Sequence, residues 1–140
     1  NKCKDLKKIK IHWKHSPITM ETYCGQISMS YQKLHMCNPD FIYVDAPDLS
    51  DIKGNVQNIK AQHTDMLPMI NDILKFENFL IPGTIIIADG RKANSSFLLN
   101  NFKRSWLYFH DESNDQSIFY LNDKSLGPIN NEILKFYKNK

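Results

Sequence analysis

Two aspartates in this chain stand at the ends of apolar runs. Asp45 closes "FIYVD" (41–45) and Asp89 closes "TIIIAD" (84–89). Short runs of β-branched and aromatic residues like these read as buried strands. In open α/β sheets, ligands bind beyond the carboxyl ends of the strands. If the two strands are neighbours, the two carboxylates overhang one cleft. Paired carboxylates suit three tasks: holding a hard cation, general-base work, or gripping the hydroxyls and amines of a ligand. Each acid alone also fits a plainer role, capping the loop that follows through bonds to nearby backbone N–H groups. Its repetition favours the functional reading.

Other polar residues cluster near these two. Arg91 lies two positions beyond Asp89 and can either pair with one of the aspartates or hold a substrate carboxylate or phosphate. Gly90 between them permits an unusual backbone angle or the close approach of a ligand. Asn94 opens the next helix, as a substrate contact or simply as its N-cap. Asp48, Asp51 and His63 fall in the long polar stretch 46–64, and could reach over the cleft as a lid. A lone loop histidine is also ordinary surface. His12 and His15 flank Trp13, where packing is a simpler role than stacking on a ligand ring.

The elements that would position these residues follow from periodicity. "KIKIHW" (8–13) reads as a strand. "ITMETYCGQISMSYQKL" (18–34) carries Met20, Tyr23, Ile27, Tyr31 and Leu34 near a helical period, although Gly25 and the serines weaken a helix. "DMLPMINDILKFENFL" (65–80) is the strongest helix pattern, with Asp65 as N-cap, Pro68 in the first turn, and Met66, Met69, Ile70, Ile73, Leu74 and Leu80 on one face. "TIIIA" (84–88), apolar throughout after its threonine, predicts a strand covered on both faces. A turn over 89–96 leads to a helix burying Phe97, Leu98 and Phe102. "WLYFH" (106–110) and "SIFYL" (117–121) predict an antiparallel hairpin, and "NEILKFY" (131–137) a short last helix. Strands alternating with helices imply a single α/β domain over 1–140, with a mostly parallel sheet and helices on both of its faces.

Composition excludes several classes. At 140 residues, 41% hydrophobic and 24% charged, the chain is an ordinary globular domain. No apolar run is long enough to span a membrane, and the first ten residues have no apolar core of a signal peptide. The chain does not begin with Met, which points to a segment upstream. The net charge of +3 is unevenly placed: residues 1–15 hold six lysines and one aspartate, while the rest is net −2. That is a basic lead-in, not a nucleic-acid-binding face. Cys3, Cys24 and Cys37 have no C-x-x-C spacing, which suits reduced thiols in the cytoplasm, with Cys24 and Cys37 as half-buried packing residues.

"FIYVDAPD" and "LIPGTIIIADGR", with the helix pattern between them and the hairpin after, resemble the distal half of a class I, Rossmann-like S-adenosylmethionine-dependent methyltransferase. The resemblance spans roughly residues 8–122. It implies transfer of a methyl group to an oxygen or nitrogen of a small molecule or saccharide. Asp45 and Asp89 would be catalytic and line the acceptor site; Arg91, Asp48, His63 and Asn94 would bind substrate; Asp45 and Ala46 would lie beside the methyl donor. The family's Gly-rich turn is absent, since no G-x-G occurs. The resemblance therefore implies that the first two strands, and the main S-adenosylmethionine site, lie upstream of residue 1. In metal-dependent members an Asp and an Asp–Asn pair hold a divalent cation. Asp45 and Asp89 match the acids, and Gly90 stands in place of the Asn, which leaves a cation such as Mg²⁺ open. Expected partners are a small-molecule or saccharide substrate, with a homo-oligomer left open, and neither nucleic acid nor membrane. Two other readings remain: a nucleotide-sugar transferase holding a metal–diphosphate at the strand-end acids, and a non-catalytic α/β binding or assembly module.

Overall fold

The computed structural model describes residues 10–45, 48–61, 69–90 and 92–138. In chain order these form β1 (Ile18–Tyr23), β2 (Gln26–Tyr31), β3 (Phe41–Val44), a 3-10 turn (Leu49–Asp51), β4 (Ile52–Lys53) and α1 (Asp72–Phe76). A second 3-10 turn (Glu77–Phe79), β5 (Ile85–Asp89), α2 (Lys92–Asn101), β6 (Trp106–Asp111), β7 (Gln116–Leu121) and α3 (Pro128–Lys138) follow. Two sheets result, ordered β2-β1-β4 and β3-β5-β7-β6. The mostly parallel Rossmann-like sheet with helices on both faces is not what forms. Pairing is parallel between β3 and β5 and over two residues of β1 and β4, but antiparallel in β1–β2, β5–β7 and β6–β7.

The largest departure lies in residues 18–34, which fold as a hairpin and not as a helix. Cys24 and Gly25 take φ of 48° and 80°, the two positive angles of a primed two-residue turn, whose twist matches that of the flanking strands. Burial at Ile18 and Met20 then alternates with a period of two. Met20 and Met29 lie opposite one another, a pairing that the helical spacing of the same residues conceals. Cys24 and Cys37 are exposed free thiols, not packing residues. Residues 10–13 of the expected first strand are exposed and not in a strand.

The strongest helix pattern is also cut back. Met69–Asn71 runs along β2, with the Met29 N–H donating to Met69 O at 2.9 Å and the Asn71 N–H to Met29 O at 3.0 Å. The helix starts only at Asp72, after Asn71. Asp65, Met66 and Pro68 lie outside the described residues. Competition from an unpaired strand edge overrides helical propensity here.

One face of the four-stranded sheet carries the core. Ile86, Ala88, Phe119 and Leu121 pack against Ile73, Leu74, Phe76 and Leu80 and against Phe97 and Leu98 of α2. A smaller cluster holds Ile18, Met29 and Ile70, and Val44 packs against both clusters. The opposite face is uncovered among the described residues, contrary to the two-sided burial expected of "TIIIA". Register lays out its side chains in rows across all four strands: Phe41, Ile85, Tyr120, Leu107, then Tyr43, Ile87, Ile118, Phe109. Phe41, Tyr43, Leu107 and Phe109 are exposed. The hairpin β6–β7 stands where its sequence puts it, and α2 begins earlier than expected, at Lys92.

Candidate functional site

Strands β3 and β5 are hydrogen-bonded neighbours, with Val44 opposite Ala88. Asp45 follows β3 directly and is exposed; Asp89 ends β5 and is half-buried. Both carboxylates therefore leave the same edge of the sheet, one step beyond the last paired residues. The Tyr43 phenol donates a hydrogen bond to Asp89 Oδ2. Tyr43 sits opposite Ile87, and the side-chain period of two puts Tyr43 and Asp89 on one face. Tyr43 is held above the ordinary phenol range, first by the bond to Asp89, then by partial desolvation and the negative charges of Asp89 and Asp45; a bond with Gln116 works in the opposite direction.

Gln116 joins the site through register, being paired with Asp89 on one side and Asp111 on the other. A third row thus crosses the sheet after the two apolar ones: Asp89, Gln116, Asp111. Asp111 is occupied locally. Its Oδ1 accepts from the Ser113 N–H at 2.9 Å and from the Ser113 hydroxyl at 2.6 Å, and its Oδ2 accepts from Asn114 Nδ2 at 2.8 Å. These bonds to Ser113 and Asn114 hold its carboxyl down at about 2. The chain leaving β5 is fastened to the same hairpin loop, since the Gly90 N–H donates to Asp115 O at 2.9 Å.

Not every expected site residue gathers here. Asn94 is buried in the first turn of α2, where its Oδ1 accepts the Ile70 N–H at 2.9 Å. That bond fastens α2 to the 69–71 segment. Asp48 is exposed beside the 3-10 turn, and its carbonyl accepts the Asp51 N–H at 3.1 Å. Ala46, His63 and Arg91 lie outside the described residues. Tyr43 and Gln116 are additions. The sequence did contain a sign of Tyr43, which stands two residues before Asp45 and hence on its face of an extended run.

Chemically, the arrangement offers two carboxylates, acceptors only when ionised, and a phenol that fixes one of them. Among the described residues no group of three or more His, Cys, Asp or Glu is placed to hold a metal ion. Hard cations take about six or more oxygens. Asp89 Oδ2 is engaged by the Tyr43 phenol. A second polar group, His110 Nδ1 with the Ser117 hydroxyl at 3.3 Å, lies on the core side of the hairpin. Ser117 is buried there. Among the described residues no helix is long and apolar enough to cross a membrane.

Comparison of the chain with models of known families, with curated proteins and with solved structures found no match.

Proposed function

We propose that the paired strand ends form the acceptor side of an S-adenosylmethionine-dependent methyltransferase site acting on an oxygen or nitrogen of a small molecule or saccharide. One observation carries the reading: Asp45 and Asp89 leave the same edge of two parallel, hydrogen-bonded strands, with the Tyr43 phenol on Asp89. The elements that follow are consistent with it, since β5 is succeeded by α2 and by a hairpin that returns antiparallel beside β5. The methyl donor supplies the electrophilic carbon. This chain's own residues bind and orient the acceptor. Asp45 and Asp89 accept hydrogen bonds from its hydroxyl or amine, and one carboxylate takes the proton released when that oxygen or nitrogen is methylated. Tyr43 restrains the Asp89 carboxylate to one orientation. Arg91, His63 and Ala46 enter the proposal from the sequence alone. No G-x-G turn occurs to hold the donor, so the proposal covers the acceptor side only. Exposed free thiols at Cys24 and Cys37 suit a reducing compartment, and the cytoplasm is the proposed location.

The test is a titration of ¹⁵N-labelled protein with S-adenosylhomocysteine, with saccharide and catechol acceptors, and with a sugar nucleotide plus Mg²⁺. Acceptors should shift the amides of Val44, Asp45, Asp89 and Gly90, and Asp89→Asn should weaken that response. No shift at these amides with acceptor at about 1 mM, an affinity threshold near 4 kcal/mol, overturns the proposal. A response only to the sugar nucleotide with Mg²⁺ replaces it with nucleotide-sugar transfer.

A further inference from the structure

We propose that the open face of the four-stranded sheet is the interface of a symmetric dimer, and that its occupant is a second copy of this chain. This inference does not depend on the methyl-transfer reading. Two apolar rows cross the sheet, one from Phe41 to Leu107 and one from Tyr43 to Phe109. Their four outer side chains are between 49% and 62% exposed. With roughly 200 Å² for each large side chain, and a smaller share from the half-buried residues between them, the face leaves on the order of 600 Å² of apolar surface in water. That is the upper end of what a soluble monomer carries as one patch. Two such faces in contact remove roughly 1,200 Å², the lower bound of a specific interface. The area available therefore reaches the lower limit of a specific dimer interface.

The charge of the face sets how a copy of itself would stack. Sheet faces stack on one another at about 10 Å, with side chains interdigitating. Leu107 and Phe109 of the edge strand β6 are exposed, while the isoleucines of β5 and β7 beside them are half-buried. The polar row at one end carries Asp89 and Asp111. Like charges brought together would be repelled, so the strands of the two copies run in opposite senses and the acidic ends lie apart.

Sedimentation equilibrium on the intact chain tests this, between about 1 and about 100 µM, where a specific interface of this size is populated. Wild type should be a dimer. The double variant Leu107→Glu/Phe109→Glu, placed on β6 away from Asp45 and Asp89, should raise the dissociation constant at least about 100-fold, because each charge enters the interface twice by symmetry. Phe79→Glu, exposed in the 3-10 turn after α1, should remain dimeric. A monomeric wild type, a dimer that survives the double variant, or assembly beyond two copies overturns the inference. Should the double variant fail to fold by circular dichroism, mixed-isotope samples of wild type decide. Contacts between the Phe109 ring of one copy and isoleucine methyls of the other support the dimer, and their absence refutes it.

Discussion

Asp72 makes the stability of this fold depend on pH in an unusual direction. It is the first residue of α1 and only 3% exposed. Its Oδ2 accepts the Tyr31 N–H at 3.1 Å, while its Oδ1 is buried without a hydrogen-bond partner. The nearest cation, Lys75, is 3.9 Å from Oδ1 and is drawn instead to Glu21 at 2.6 Å. Burial pushes the Asp72 carboxyl up to about 6 from an ordinary 3.8; the Tyr31 N–H and the Lys75 charge oppose that rise, and Glu21 adds to it. The folded state thus holds this proton more tightly than the unfolded state does. Asp72 therefore favours folding fully below about pH 3.8, and the contribution is lost as pH rises through about 6. A rise of that size corresponds to about 3 kcal/mol. Partial screening by the half-exposed Glu21–Lys75 pair leaves about 2 kcal/mol. Asp72→Asn keeps the shape and the acceptor for Tyr31 but removes the charge. In urea denaturation followed by circular dichroism, the variant should come close to wild type near pH 4 and exceed it by about 2 kcal/mol at pH 8, with the difference growing between about pH 4 and about pH 6 and levelling off above that. A difference independent of pH, or a variant weaker than wild type at pH 8, would refute the reasoning.

Three further outcomes are expected. Glu77 is buried and accepts the Lys103 and Arg104 N–H groups and Trp106 Nε1 at 2.9 to 3.1 Å, so it ties the 3-10 turn to the start of β6. Glu77→Ala strands those donors and should cost about 3 kcal/mol of unfolding free energy; a loss below about 1 kcal/mol would contradict that role. Gly83 has φ of +97°, and an added Cβ would meet Leu134 Cδ2 at 2.9 Å. Gly83→Ala should cost about 1–3 kcal/mol and loosen α3, read as faster amide exchange over 128–138. In a spectroscopic titration of the tyrosines, Tyr23 and Tyr31 should ionise above the usual range because of burial, and Tyr43 should do so because of the Asp89 bond; the Tyr43 component is the informative one. That component should vanish in Tyr43→Phe and fall toward the usual value in Asp89→Asn; an unchanged titration in both variants would break the link.

Several parts of the molecule were legible in the residues alone. The β-branched and aromatic runs at 41–44, 85–89, 106–111 and 116–121 are strands, because such side chains suit a pleated, packed surface wherever it lies. The polar connection between the last two runs made their antiparallel pairing the natural outcome. Two runs ending in aspartate placed the candidate site at the strand ends, and the parallel β3–β5 pairing brings those ends together.

Other features depended on contacts distant in the chain. Residues 18–31 carry a spacing compatible with either period, and the choice went to a hairpin closed at Cys24–Gly25 and covered by Met69–Asn71. The same contact shortened α1, since backbone groups at 69–71 that bond to β2 cannot also serve a helix. "TIIIA" reported that a strand is apolar, but only the placement of α1 and α2 determined that one face is covered while the other is open among the described residues. The bond from Tyr43 to Asp89, 46 residues apart, likewise came from register. By itself the sequence determined which segments are extended and where acids end them, because those properties arise from local sterics and alternation. Only the tertiary structure decided which strands are neighbours, which faces are buried and which polar groups meet, because each of those rests on pairing between parts of the chain whose local preferences permit more than one partner.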